Sequence, residues 1–530
     1  MSNTKIETMI AAVTRGELSR RDFMARAGQL GIGAGMANGL LTLGASSARA
    51  AVKRGGRIRV ATQTGGTADS LDPTKFLSTV DYLRAYLMYT PLTALDRKSR
   101  AIPALAESWE SDDAVNWAFH LRKDVEWSDG AKTTAKDVVY SLQRHLAEKS
   151  ESPGKPMLEQ VIEMKADGDH VVRMKLAAAN ADLPTLFTTP QFMITRDGQD
   201  DFTAPISNGP FTLKSFKAGV QAVLDRNDNY WGTPAPADRM EVTSVGDTTA
   251  RMNALMAGKF DVVTGVDHKI LDLLKKAPGV DVVSSPSSQH ANFAMMVDRA
   301  PTDNNDLRLA LKYISPREKF VKNVFKGYAQ VGNDHQVAPT DPFYCDEIPQ
   351  RHYDPDKAKF HLKKAGMAGG SIDLYSSFQA TSGADAIALL YKEAARPAGL
   401  EVNVTMVPPD SYWTTAWMQK AFVVSGWNAR PTADLMLSIA NKSDGSWNES
   451  QWKNKHFDDL LVAARGEIDF AKRKAMYCEM QKMLQEDGGT SVIAFYDEIN
   501  AKRSNVAGME PHPAGLARNA FFGVEVGLKA

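Results

Sequence analysis

From about residue 300 the sequence alternates helical and strand periodicity, and this alternation constrains the fold more than any other feature of the chain. Helix-period stretches run over 307–313, from Asp354-Pro355-Asp356-Lys357-Ala358 onward, and over 467–484, while Ile372–Tyr375 and 402–406 read as short strands. Asp354 is placed to cap its helix, and Pro355 falls at the first helical position, where a missing N–H costs nothing. Helices alternating with short strands imply an α/β lobe. The apolar run Ala421 to Val424 reads as one more buried strand, ending near Gly426, Trp427 and Arg430.

An earlier section has a different texture. Between about 96 and 200, strands buried on one side dominate: Trp117, Phe119 and Leu121 alternate with His120 and Arg122, and Val172, Met174 and Leu176 alternate with Arg173 and Lys175. Thr134 with Asp137 three residues on predicts a helix start, followed by a stripe of Val138, Val139, Leu142 and Leu146. Near the front, Gly56 to Ala61 reads as a strand, and a helix is expected around 80–88 after the turn Leu71-Asp72-Pro73. Leu255 to Gly258 ends a helix and Val262-Val263 starts a strand. At 530 residues, the chain exceeds what one core supports and is expected to divide into two to four lobes.

Residues 1–50 read as an address. Ser19-Arg20-Arg21-Asp22-Phe23-Met24 resembles the bacterial twin-arginine export signal, and a Gly-rich apolar run leads to Ala48-Arg49-Ala50, a cleavage-like site. Cleavage near Ala50 is expected, because glycine-interrupted apolar sequence spans a bilayer poorly.

Lys plus Arg equals Asp plus Glu at 63 each, which gives no reason to expect a nucleic acid partner. Cys345 and Cys478 fit neither a metal spacing nor a Cys-x-x-Cys pair, and whether they are bridged stays open. No nucleophile elbow, phosphate loop or His-Glu-x-x-His is present, so no catalytic residue, cofactor or resident metal is expected.

The stretch 412–434 gathers the side chains best suited to recognition. Trp413 and Trp417 fall four apart on what reads as a helix, and Trp427 and Arg430 follow the strand. Open α/β sheets place ligands at strand ends. An indole offers a flat apolar wall and a guanidinium a planar fork for carboxylate or phosphate. Core packing is the competing role for each aromatic.

A series of ordered motifs runs through the mature chain. They are Ile102 to Trp109, Trp117 to Arg122 continuing to Trp127-Ser128-Asp129-Gly130, Lys136 to Leu142, Asn208-Gly209-Pro210-Phe211, Asn227 to Gly232, Tyr353 to Lys359, and Phe457 to Leu461. Together they resemble the extracytoplasmic solute-binding proteins of peptide, nickel and opine ABC importers, family 5. The resemblance implies an α/β fold of the periplasmic-binding-protein type II clamp, with three lobes. Two α/β lobes would be joined by a two-strand hinge, with a strand-rich lobe inserted. Lobe I would take 51–95, 201–295 and 490–530, lobe II 96–200, and lobe III 296–489.

The implied function is a monomeric periplasmic receptor. It would close on a peptide-, amino-acid- or opine-like solute and deliver it to ABC permease subunits after export by the twin-arginine machinery. An enzyme or chaperone on the same scaffold is the alternative. By family position, Phe76 and Tyr82 resemble the lobe I side of the cleft, and Trp413, Trp417, Trp427 and Arg430 the lobe III side. In peptide-binding members the Gly-Trp pair is followed by Ala-Asp-Tyr, whose acid receives the peptide amino terminus. Here Gly426-Trp427-Asn428-Ala429 is followed by Arg430-Pro431. A base at that place suits a carboxylate-bearing solute. Asp434 is expected either to hold Arg430 or to meet a ligand amine.

Overall fold

A computed structural model describes residues 52–63, 66 and 69–530; the export signal expected over residues 1–50 lies outside them. Three sheets organise the chain. A seven-stranded sheet runs in the order Val280–Ser285, Glu498–Arg503, Val262–Val263, Arg57–Thr62, Arg239–Ser244, Gln221–Arg226 and Phe211–Lys217. A six-stranded sheet runs Ala329–Val331, Thr490–Tyr496, His290–Met295, Phe422–Trp427, Ser371–Ser376 and Glu401–Met406. Four antiparallel strands, Ala106–Glu110, Asn116–Leu121, Val171–Leu176 and Val161–Ala166, form the third sheet from the strand-rich section.

Each sheet buries its own core. Phe119, Val172 and Leu176 pack against Val138 and Leu142 of the helix Ala135–Leu146. That helix starts as its sequence predicts, with the Thr134 N–H donating to Asp137 Oδ2 at 2.6 Å in a capping box. Ile58, Val60 and Met240 pack against the helix Thr79–Met88. In the six-stranded sheet Phe293 meets Tyr391 and Phe422 at centroid separations of 4.4 and 5.5 Å. Ser371–Ser376 and Glu401–Met406 pair in parallel across the helix Ala384–Ala395, a βαβ unit that the alternating periods anticipate.

Two local expectations need correction, and one open point is decided. The helix expected over 467–484 begins later, at Phe470–Glu486, because Asp469 caps it and Glu467 closes the preceding helix Lys455–Gly466. The helix carrying Trp413 is a single turn, Tyr412–Thr415, and the chain then bends through Met418 at φ 56°. Cys345 and Cys478, left open by the sequence, are joined as a disulfide with a Cα separation of 4.9 Å.

Two segments connect the large sheets. Residues 286–289 lead from Val280–Ser285 to His290–Met295, and Asp497 alone separates Thr490–Tyr496 from Glu498–Arg503. The crossings are bonded together: the Tyr496 N–H donates to Gln289 O at 3.1 Å, and Ser284 Oγ donates to the Asp497 carboxylate. His290–Met295 and Thr490–Tyr496, which boundaries at 295 and 490 assign to the first lobe, therefore belong to the six-stranded sheet. No described helix is long and apolar enough to cross a membrane.

Candidate functional site

A cleft of about 510 Å³ opens at the ends of the two large sheets. Asp267 and Lys269 line it from beyond the strand Val262–Val263, and Phe378, Thr381, Trp413, Trp427 and Tyr496 from the six-stranded side. The strand Phe422–Trp427 builds this second wall by alternation. Phe422 and Val424 enter the core, while Ser425 and Trp427 share the opposite face with Asn292 and His290 of the paired strand. Gly426 admits the loop 377–383: a Cβ there would lie 2.5 Å from Thr381 Oγ1.

Trp427 is nearly buried, and its ring faces Trp447 at a centroid separation of 6.0 Å. The Arg430 guanidinium lies 5.7 Å over Trp427 and 5.8 Å over Trp447, and its Nη1 donates to Asn428 O at 3.1 Å. Among the described residues no carboxylate pairs with Arg430. Burial, and secondarily the charge of Arg518, pull its pKa below the usual arginine value. Arg518 belongs to the segment that follows the seven-stranded sheet, lies 5.0 Å over Tyr82 and also has no acidic partner among the described residues. Arg430 and Arg518 thus lie within electrostatic reach of each other.

Trp413 is 41% exposed on the cleft, and Trp417 supports it edge-on at 5.4 Å. Behind them, Trp417 Nε1 donates to Glu449 Oε2 at 2.7 Å and Trp427 Nε1 donates to Glu449 Oε1 at 3.1 Å. His290, opposite Trp427, is buried; burial, helped by the charges of Arg430 and His335, pushes its pKa down to about 4.

Of the expected site residues, Trp413 and Trp427 line the cleft itself; Arg430 and Trp417 stand behind these rings, Tyr82 lies under Arg518, and Phe76 and Asp434 lie elsewhere. Phe76 is 1% exposed within the apolar core under the seven-stranded sheet, because the turn after Pro73 directs it inward. Asp434 neither holds Arg430 nor reaches the cleft. Arg465 Nε donates to both its oxygens at 3.0 Å, and burial raises its pKa to about 6. Sequence reasoning missed Trp447, Glu449, His290 and Arg518. Only Trp447 carried a visible signal, as another tryptophan close in sequence to the aromatic stretch.

Residues 100–448 match the family described as bacterial extracellular solute-binding proteins, family 5 Middle. The chain belongs to this family. A family 5 solute-binding protein is a receptor of an ABC importer, and this one is accordingly a periplasmic receptor that works with ABC permease subunits. The dipeptide-binding protein of Escherichia coli K12 is 26% identical over 496 residues, spanning 85% of this chain and 91% of that protein. Heme-binding protein A of Haemophilus influenzae is 27% identical over 480 residues, spanning 83% and 87%. Among solved structures, HbpA2 from Haemophilus parasuis superimposes with a TM-score of 0.80 at 21% identity, over 90% of this chain and all of that one, a likeness of fold.

Proposed function

We propose that this receptor captures a small carboxylate-bearing solute, amino-acid-, peptide- or opine-like, between the seven- and six-stranded sheets. Closure turns on the paired crossings at 286–289 and Asp497, the hinge-bending behaviour of a two-connection clamp. Arg430 receives the carboxylate, Trp427, Trp447 and Trp413 form the apolar wall, and Arg518 over Tyr82 approaches from the other side. One observation carries this reading: Arg430 lies on two indole rings without an acid partner among the described residues. With Nη1 held by the Asn428 and Ala429 carbonyls, the guanidinium keeps Nη2 and Nε for an anion and has little affinity for an ammonium group.

The body around the six-stranded sheet is lobe III, the body around the seven-stranded sheet is lobe I, and 96–200 is the inserted lobe. The receptor is a monomer, is exported by the twin-arginine machinery with cleavage near Ala50, and binds its solute without transforming it.

Mass spectrometry of whatever small molecule is released on denaturing the purified protein tests the solute class. A compound with a carboxylate or another anionic group is expected, and a purely cationic or neutral one overturns the reading. Tryptophan fluorescence against a panel of amino acids, opines and short peptides gives the second arm. Saturable quenching without product is expected, and turnover of any panel member would return the enzyme alternative.

A further inference from the structure

We propose that Glu449 is the positioning residue of the solute wall: a single buried carboxylate sets the rings of Trp417 and Trp427 by accepting both indole N–H groups. Its Oε2 takes hydrogen bonds from Trp417 Nε1 and Ser425 Oγ, each at 2.7 Å. Its Oε1 takes them from Trp427 Nε1 at 3.1 Å and from Asn292 Nδ2 at 2.7 Å. Glu449 is 1% exposed, and among the described residues no Lys, Arg or His pairs with it.

An unpaired charge in such a place is costly to bury, and a core needs none for stability. Four neutral donors, matching the roughly four acceptor sites of a carboxylate, make it tolerable. Those donors come from separate places. Asn292 lies on the strand that leaves the crossing at 286–289, Ser425 and Trp427 lie on the neighbouring strand, and Trp417 lies in the turn after Tyr412–Thr415. Glu449 itself sits two residues after Trp447, the second ring under Arg430. Trp417 in turn braces the exposed Trp413. One side chain that never reaches the cleft therefore fixes the aromatic wall from behind.

The chemistry demands a carboxylate. Glutamine offers one acceptor oxygen, and its amide N–H groups would point at a donor, so Glu449→Gln must break at least one of the two indole bonds. This inference rests on the reading that the solute lies against Trp427, and it adds the residue that sets that ring.

Indole N–H resonances of ¹⁵N-tryptophan-labelled full-length protein test it with no solute added, with Trp417→Phe and Trp427→Phe providing assignments. In Glu449→Gln, at least one of the Trp417 and Trp427 resonances is expected to shift and to exchange with solvent at least tenfold faster, while Trp127 in the inserted lobe stays in place. In Glu449→Gln with Trp417→Phe, the amide can donate to Ser425 Oγ, and the Trp427 resonance is expected to return toward its original position. Should Glu449→Gln fail to fold, Trp417→Phe and Ser425→Ala each remove one donor and keep the carboxylate, and the Trp427 resonance is expected to move in both. Unmoved Trp417 and Trp427 resonances in Glu449→Gln, or an unmoved Trp427 resonance in both fallback variants, overturn the proposal. That result would leave the assignment of Arg430 to a solute carboxylate standing, because no readout here involves a solute.

Discussion

Arg430 separates two ways of reading an anion. Its charge could be kept by lysine, but its planar fork and its contact with the faces of Trp427 and Trp447 could not. Arg430→Ala is expected to weaken binding of the recovered carboxylate solute by ~2–5 kcal/mol, the range for removing one partner of a desolvated charge pair. Arg430→Lys should fall between the two proteins. Isothermal titration checks both, and an alanine variant with unchanged affinity would remove Arg430 from the site. The sequence made Trp427 and Arg430 legible, because both sit at the end of an apolar run that had to be a strand. It could not reveal Glu449 or Arg518. Their partners are set by how strands far apart in sequence are brought together, and no periodicity encodes that. Asp434 shows the converse: four residues from Arg430 invites a pair, yet a helix start at Thr432 turns it toward Arg465.

Among the elements, strands and helix starts followed from residue spacing wherever one face is buried and one is wet. The Thr134 capping box, the Asp354 cap with Pro355, and the alternation at 171–176 all formed as expected. Failures clustered where tertiary contact overrides local preference. The helix around Trp413 shrinks to one turn because Tyr412 is buried, with its hydroxyl donating to Val424 O. The wall strand depends on a similar close approach. A Cβ on Gly426 would meet Thr381 Oγ1 at 2.5 Å and Thr381 Cβ at 2.6 Å, so the loop 377–383 would have to retreat. Gly426→Ala is expected to cost about 1–3 kcal/mol in denaturant unfolding, the usual range for overpacking. Adding Thr381→Gly should recover part of that loss, because the two changes share one contact. Strict additivity in the double mutant would show that the loop does not press on the strand.

Across the whole molecule, the strand-rich section 96–200 also touches the body built on the six-stranded sheet. Arg473 pairs with Asp182 at 2.7 Å with both side chains buried, and the Ala181 N–H donates to Arg465 O at 2.8 Å, joining 96–200 to the helices Lys455–Gly466 and Phe470–Glu486. Asp182, Asp341 and Asp434 share this contact with Arg465 and Arg473, three carboxylates against two guanidiniums. Burial, with the Asp182 charge adding to it, pushes Asp341 up to about 7, although some solvent reaches it. From about pH 4 up to about 6 at Asp434 and about 7 at Asp341, the folded protein therefore holds protons that an unfolded chain, with carboxylates near 3.9, has released. These two groups make stability fall as pH rises through that window. Buried His145, His290, His335 and His512 act in the opposite sense, because burial holds each near 4 and the folded state lacks protons that unfolded histidines bind below about 6.5. His268, lowered by burial, acts with these histidines, and Asp497 and Glu525, raised by burial, act with the two carboxylates. Asp341→Asn deletes one contribution that falls as pH rises, so its stability should gain more with pH than the parent's. It should match the parent near pH 4 and exceed it at pH 8 by on the order of 1–2 kcal/mol, allowing for the solvent at Asp341. Urea unfolding of both proteins at pH 4, 6 and 8 measures the difference, and a constant offset across the three would mean that Asp341 titrates as an ordinary surface carboxylate.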